Sequence, residues 1–112
     1  MSAFATNPSA RLIGALLGAL ALSTGASADP AAPPAMPENA SRCLSCHGAN
    51  GNPVLPHVPI IAGQQEAYLL SALMAYRDGG RSGGNALVMA RIIGDLNEDE
   101  LAELAKWFGA QK

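Results

Sequence analysis

The stretch RCLSCHGANG, residues 42–51, places two cysteines three positions apart with a histidine directly after the second. No other cysteine occurs in the chain. On a helix, an i, i+3 spacing sets Cys43 and Cys46 on one face, and His47 joins that face at i+4 from Cys43. Such a pair serves as a structural disulfide, a redox dithiol, half of a zinc site, or the two anchors of a haem. A disulfide between residues so close closes a tiny loop and stabilises little. A thioredoxin-like dithiol sits where a strand enters a helix, and no stretch here alternates with period two for long enough to be that strand. Zinc takes four ligands; Cys43, Cys46, His47 and His57 could be pressed into service, but a second C-x-x-C or an H-x₃₋₅-H pair is missing. The spacing favours a c-type haem attachment site, with two thiols reaching the two vinyl groups while the imidazole meets the iron. The other three readings are weaker, not eliminated.

The chain upstream supports that order. Residues 1–11 hold one basic residue, Arg11, and no acid; the apolar run LIGALLGALAL (12–22) and then STGASA (23–28) follow. A charged start, a short apolar core and a small-x-small ending form the pattern of a secretory signal peptide, with cleavage expected after Ala28. As a helix the apolar run would span roughly 16 Å, about half a bilayer's hydrocarbon core, so an uncleaved anchor is the weaker alternative. No cysteine near the cut points to lipoprotein processing, and no Arg-Arg pair points to a twin-arginine route. The expected location is the periplasm, with no stable membrane insertion of the mature chain. Export agrees with a c-type haem, which is attached outside the cytoplasm.

Residues 29–112 would form the mature protein, with six basic residues against nine acidic once Arg11 is removed. There is no basic stripe to displace counterions from phosphates, which argues against nucleic acid as a partner. A chain this short buries only about two-thirds of its unfolded surface and is marginal alone. Its large side chains are few, and small exported domains usually add a staple. A covalent haem would supply the apolar body that the sparse core lacks.

Residues 29–36 of DPAAPPAMP read as an extended proline-rich leader. From Pro37, as first-turn proline, PENASRCLSCH reads as a short helix ended by Gly48. GANGNPVLPHVPIIAG (48–63) is an ordered loop, because its prolines and glycines forbid long regular structure. QQEAYLLSALMAYRD (64–78) is an amphipathic helix, with Ala67, Leu70, Met74 and Leu69, Leu73, Tyr76 at helical spacing. GGRSGGNALVMARIIG (79–94) is bounded by glycines, with one helical turn expected in its middle. It lacks the Gly-Lys-Ser/Thr of a phosphate loop. In NEDELAELAKWFGAQK (97–112), Asn97 is the expected N-cap and Glu100 stands at the capping-box position. Leu101, Leu104, Ala105 and Phe108 should form its buried stripe, with Trp107 at the edge. The fold class is therefore all-α, with helices and loops wrapped around one haem.

A haem iron has a second axial position, and Met89, Met74 and His57 are the candidates for it. Met74 shares a helical stripe with Leu70 and Ala67, as core filler does. Met89 lies in the glycine-bounded segment, which can wrap to the far haem face, so it is the favoured ligand. His57 sits in the proline loop tied to the proximal side and would be exposed or at the haem edge.

C-x-x-C-H near the mature N-terminus, PIIAGQQEAYL (59–69), VMARI (88–92) and a short C-terminal helix together resemble the monohaem class I cytochromes c. The closest likeness is to the cytochrome c-553 type, similar to one half of a dihaem cytochrome c4. The resemblance covers residues 37–112 and implies the class I cytochrome c fold. It implies one haem c held by thioether bonds at Cys43 and Cys46, with His47 and Met89 as iron ligands. It also implies that the Pro59 carbonyl accepts a hydrogen bond from the His47 ring. Gln64 and Tyr68 would start the helix along the haem, and Arg81 and Asn85 would stand near the haem or its methionine. The first and last helices should cross, with Phe108 or Trp107 near the contact.

The implied function is single-electron transfer by an exported carrier, not enzymatic turnover, between redox partner proteins such as a reductase and an oxidase. A second reading is the electron-accepting haem subunit of a flavocytochrome c sulfide dehydrogenase, partnered by a flavoprotein subunit; VMARIIGDLNEDELAELAKWF resembles the matching part of that cytochrome. A haem sensor or catalyst with an open iron site fits less well, because Met89 would fill that site.

Overall fold

The computed structural model describes residues 32–112 and, before them, only positions 14, 18, 19, 21–23 and 25. The expected signal segment and its cleavage point therefore lie almost wholly outside the described residues. The described residues hold no strand. A short 3₁₀ turn, Glu38–Ala40, runs into α1 (Ser41–His47); α2 (Glu66–Arg77), α3 (Ala86–Ile93) and α4 (Glu98–Gly109) follow. No helix among the described residues is long and apolar enough to cross a membrane.

Pro37 stands just before the 3₁₀ turn, one position earlier than a first-turn proline, and its carbonyl accepts from Ala40 N. Helix α1 ends at Gly48, as the sequence indicates. The loop that follows folds back on itself, with Ile61 N and Ala62 N both donating to the Gly51 carbonyl at 2.9 and 3.1 Å. Gly51 is required there: its φ is 92°, and a Cβ would lie 2.8 Å from Ala62 N and 3.0 Å from Phe108 Cδ1. Gly63 N then donates to the Phe108 carbonyl, fastening the loop to α4.

Helix α4 opens with the capping box read from the sequence: Asn97 Oδ1 accepts from Glu100 N, and Glu100 Oε2 accepts from Asn97 N. Three acids in its first turn sit where the helix dipole favours them. Leu101, Leu104, Ala105 and Phe108 are buried, and so is Trp107, which was expected at the edge. Trp107 packs edge-on to Phe108 with ring centroids 4.8 Å apart.

Two other expectations change. Helix α3 covers eight residues rather than one turn. Its β-branched Val88, Ile92 and Ile93 have modest helix propensity, but Ile93 is fully buried and α3 packs on α2, so tertiary burial holds the helix. The last helix meets the N-terminal segment through the 3₁₀ turn, where Asn39 Nδ2 donates to Glu100 Oε1. Its main partner is α2. Along α2, Leu69 is buried and Leu70, Leu73, Met74 and Tyr76 pack on the core, whereas Ala67 faces solvent.

Candidate haem site

Helix α1 presents Cys43, buried, and Cys46, exposed, with no disulfide between them. His47 is 7% exposed, and its Nδ1 lies 3.0 Å from the Pro59 carbonyl. A carbonyl only accepts, so Nδ1 donates to it, and in the neutral ring Nε2 keeps its lone pair. The prolines of the loop hold that carbonyl in place, and Gln64 Nε2 braces the next one, at Ile60, from 2.7 Å.

A cleft opens beside this histidine in two lobes of about 180 and 240 Å³. The first lies between α1, the loop at His57–Pro59, and Val88, Met89 and Ile92 of α3. The second runs deeper, between α2 and the Leu104, Ala105 and Phe108 face of α4. Cys43, His47, Pro59, Asn85 and Met89 line both lobes, which therefore adjoin each other. Met74 lines neither lobe and packs on the core, as expected of core filler. His57 is exposed and touches only the first lobe.

In the second lobe, Arg81 donates to the hydroxyls of Tyr76 and Tyr68 at 3.1 and 3.4 Å, and it lies over the Tyr76 ring. Those bonds, to Tyr68 and then Tyr76, raise its pKa and keep it charged. One residue at the site was not legible in sequence. Arg42, beside Cys43, forks onto both carboxylate oxygens of Asp95 at 2.6 and 3.1 Å and also donates to the Ile92 carbonyl. The fork raises the Arg42 pKa and holds the Asp95 carboxyl below the usual carboxylate range. Its only sequence signal is its place in the motif, because the partner lies 53 residues away.

Burial pushes the Cys43 thiol up to about 11. A working dithiol needs a depressed thiol pKa, so the redox reading loses ground. Among the described residues no three His, Cys, Asp or Glu side chains stand together as a metal site, so the zinc set suggested by Cys43, Cys46, His47 and His57 does not assemble. An apolar cleft beside two thiols, with an imidazole nitrogen left free by its carbonyl partner, suits a covalently attached haem. These features define a c-type haem domain.

The chain belongs to the cytochrome c family, whose model matches residues 38–109. It is similar to cytochrome c-554(548) of Halomonas halodenitrificans, 39% identical over 62% of this chain and 84% of that protein. Cytochrome c4 of Pseudomonas aeruginosa is 40% identical over 65% of this chain and 35% of its own length. A thiosulfate dehydrogenase electron acceptor of Thiomonas intermedia is 35% identical over 62% of this chain and 32% of its own. The chain thus spans about a third of these last two relatives. The structure of Acidithiobacillus ferrooxidans cytochrome c4 superposes with a TM-score of 0.60 at 37% identity, covering 64% of this chain and 43% of that one. Haem c is the cofactor, attached through Cys43 and Cys46, and the protein transfers electrons.

Proposed function

We propose that the domain at 37–112, exported to the periplasm after cleavage at Ala28, shuttles single electrons between partner proteins with His47 and Met89 holding the iron. Haem c supplies a one-electron couple between ferrous and ferric iron. The observation that supports the ligand pair is the His47–Pro59 hydrogen bond, which frees Nε2 beside a cleft whose α3 wall carries Met89. The Pro59 carbonyl fixes the ring and raises its basicity. The Met89 thioether favours a higher potential, and the apolar lining keeps water from the site.

Met89→Ala should remove the weak far-red absorption of ferric iron–thioether bonding and lower the potential. Met74→Leu should leave both unchanged, since a volume-conserving core swap costs under about 1.5 kcal/mol. The reverse pattern would overturn the ligand assignment.

A second reading, the electron-accepting subunit of an oxidoreductase such as a sulfide dehydrogenase, draws on the apolar rim. Leu55 and Ile60 on the loop and Leu87 and Val88 on α3 are 41–58% exposed, and Val88 lines the first lobe. The thiosulfate dehydrogenase acceptor among the relatives points the same way. The free carrier is preferred because transient contacts are the default for a small charged domain. The exposed acids on α4 would then steer encounters from a distance, since no acid lines the cleft. Gel filtration of native extract separates the readings: haem at the mass of one or two domains supports the carrier, and haem travelling with a flavin-containing chain through high salt supports the subunit.

A further inference from the structure

Helices α1 and α3 face each other across the first lobe, yet they are not among the packed helix pairs. Between α1 and the stretch from Ala86 to Asp95, the side-chain hydrogen bonds among the described residues all come from Arg42. Its guanidinium spans from the turn that carries Cys43 to the last turn of α3, where it satisfies the Ile92 carbonyl, and on to Asp95. A planar fork on a carboxylate fixes orientation as well as distance, which a lysine ammonium does not. Met89 lies one turn before Ile92 on the same helix, so a clasp at Ile92 and Asp95 limits how far Met89 can swing away from α1.

We infer that Arg42 is a positioning residue for Met89: its clasp holds α3 against the cleft and keeps the methionine side closed to outside ligands. This rests on the His47 and Met89 reading above. Without the clasp, the Ile92 carbonyl and the Asp95 carboxylate turn to water, and α3 is held by its packing on α2 alone. The methionine then leaves its position more often, and a small ligand competes for it more easily.

The test is titration of the ferric protein with imidazole, followed by its spectrum, alongside the intensity of the far-red thioether band. Arg42→Gln should bind imidazole about two- to fivefold more tightly, the range open to an exposed ion pair of good geometry. Asp95→Ala should act alike, and the double variant should add little to either. Arg42→Lys, which keeps the charge and loses the fork, should recover only part of the closure. Arg91→Gln removes an exposed cation from α3 that makes no side-chain hydrogen bond among the described residues, and it should behave as the parent protein does. Equal imidazole affinity in the Arg42→Gln and Arg91→Gln proteins, with the band present in the parent and lost in Met89→Ala, would overturn the clasp and leave the ligand assignment standing. A band that survives Met89→Ala would overturn the ligand assignment and the clasp with it.

Discussion

The cleft wall that carries Cys43, Cys46 and His47 is pinned by the loop and by Lys112, whereas the wall that carries Met89 rests on α2 and is buried mainly toward its C-terminal end. On the first wall, Ala40 is fully buried, His47 is bonded to Pro59, and the loop is tied to Gly51 and to Phe108. Asn52 Nδ2 also donates to the Lys112 carbonyl, so Lys112 fastens the same loop. On the second wall, Ile93 and Leu96 are buried, but Leu87 and Val88 are half exposed and the segment at 79–84 is rich in glycine. Local stability follows the density of buried contacts. The contrast assigns rigidity to the wall where thioether bonds must form in register, and adjustability to the wall where, under the proposed ligation, a flexible thioether would have to find one point.

The largest effect should come from removing the anchors. Cys43→Ala/Cys46→Ala should lose haem staining on a denaturing gel and leave the apolar cleft unfilled, with loss of helical circular dichroism. Undiminished covalent haem would break the picture at its root. Next in size, Phe108→Ala should cost about 3–5 kcal/mol, because a buried ring that backs both the cleft and Gly51 leaves a cavity. Leu87→Ala, on the outer face of the adjustable wall, should stay within about 0.5 kcal/mol. Chemical unfolding of the two haem-loaded variants compares the walls directly, and equal losses would refute the contrast.

Two adjacent glycines sharpen it further. Gly84 has φ 54° with open space around its Cβ position, and Gly83 has similar space without the positive φ. Gly84→Ala should therefore cost about 1 kcal/mol for the left-handed backbone alone. Gly83→Ala should raise stability by about 0.4–1 kcal/mol by restricting the unfolded chain. A loss at both positions would mean that the segment is more tightly constrained than its open surroundings imply.

What could be read from the sequence divides along the same line. The pinned wall and α4 announce themselves through local chemistry: the C-x-x-C-H spacing, Gly48 as a stop, and Asn97 with Glu100 as a capping box. The placing of Met89 at the cleft and of Met74 in the core also follows from local context, one in a glycine-bounded segment and one in a helical stripe. The length of α3 was hidden because tertiary packing, through Ile93, holds a helix that propensity alone would leave short. Trp107 and Phe108 are neighbours that cannot share one narrow stripe, so a one-face reading had to leave Trp107 at the edge; the fold buries both. The Arg42–Asp95 pair had no signal beyond the place of Arg42 in the motif, since nothing in a single sequence couples two charges on separate elements.

The smallest effect is the pH dependence of that pair. Asp95 titrates below its ordinary value in the folded protein, first because Arg42 hydrogen-bonds its carboxylate. Above the ordinary carboxylate value of about 3.9, Asp95 is ionised in both folded and unfolded chains, and the pair contributes its full amount. Between the ordinary and the lowered value the unfolded chain binds the proton first, so the contribution shrinks as pH falls, and below both it is gone. The difference in unfolding free energy between the parent and Asp95→Ala should therefore be flat from neutral pH down to about pH 5 and decline in stronger acid. Both side chains are largely open to solvent, so the difference should also weaken with added salt. In an Arg42→Gln background it should be small at every pH. A difference that grows on acidification would show that Asp95 is destabilised by its surroundings, and the clasp between the two walls would lose its electrostatic basis.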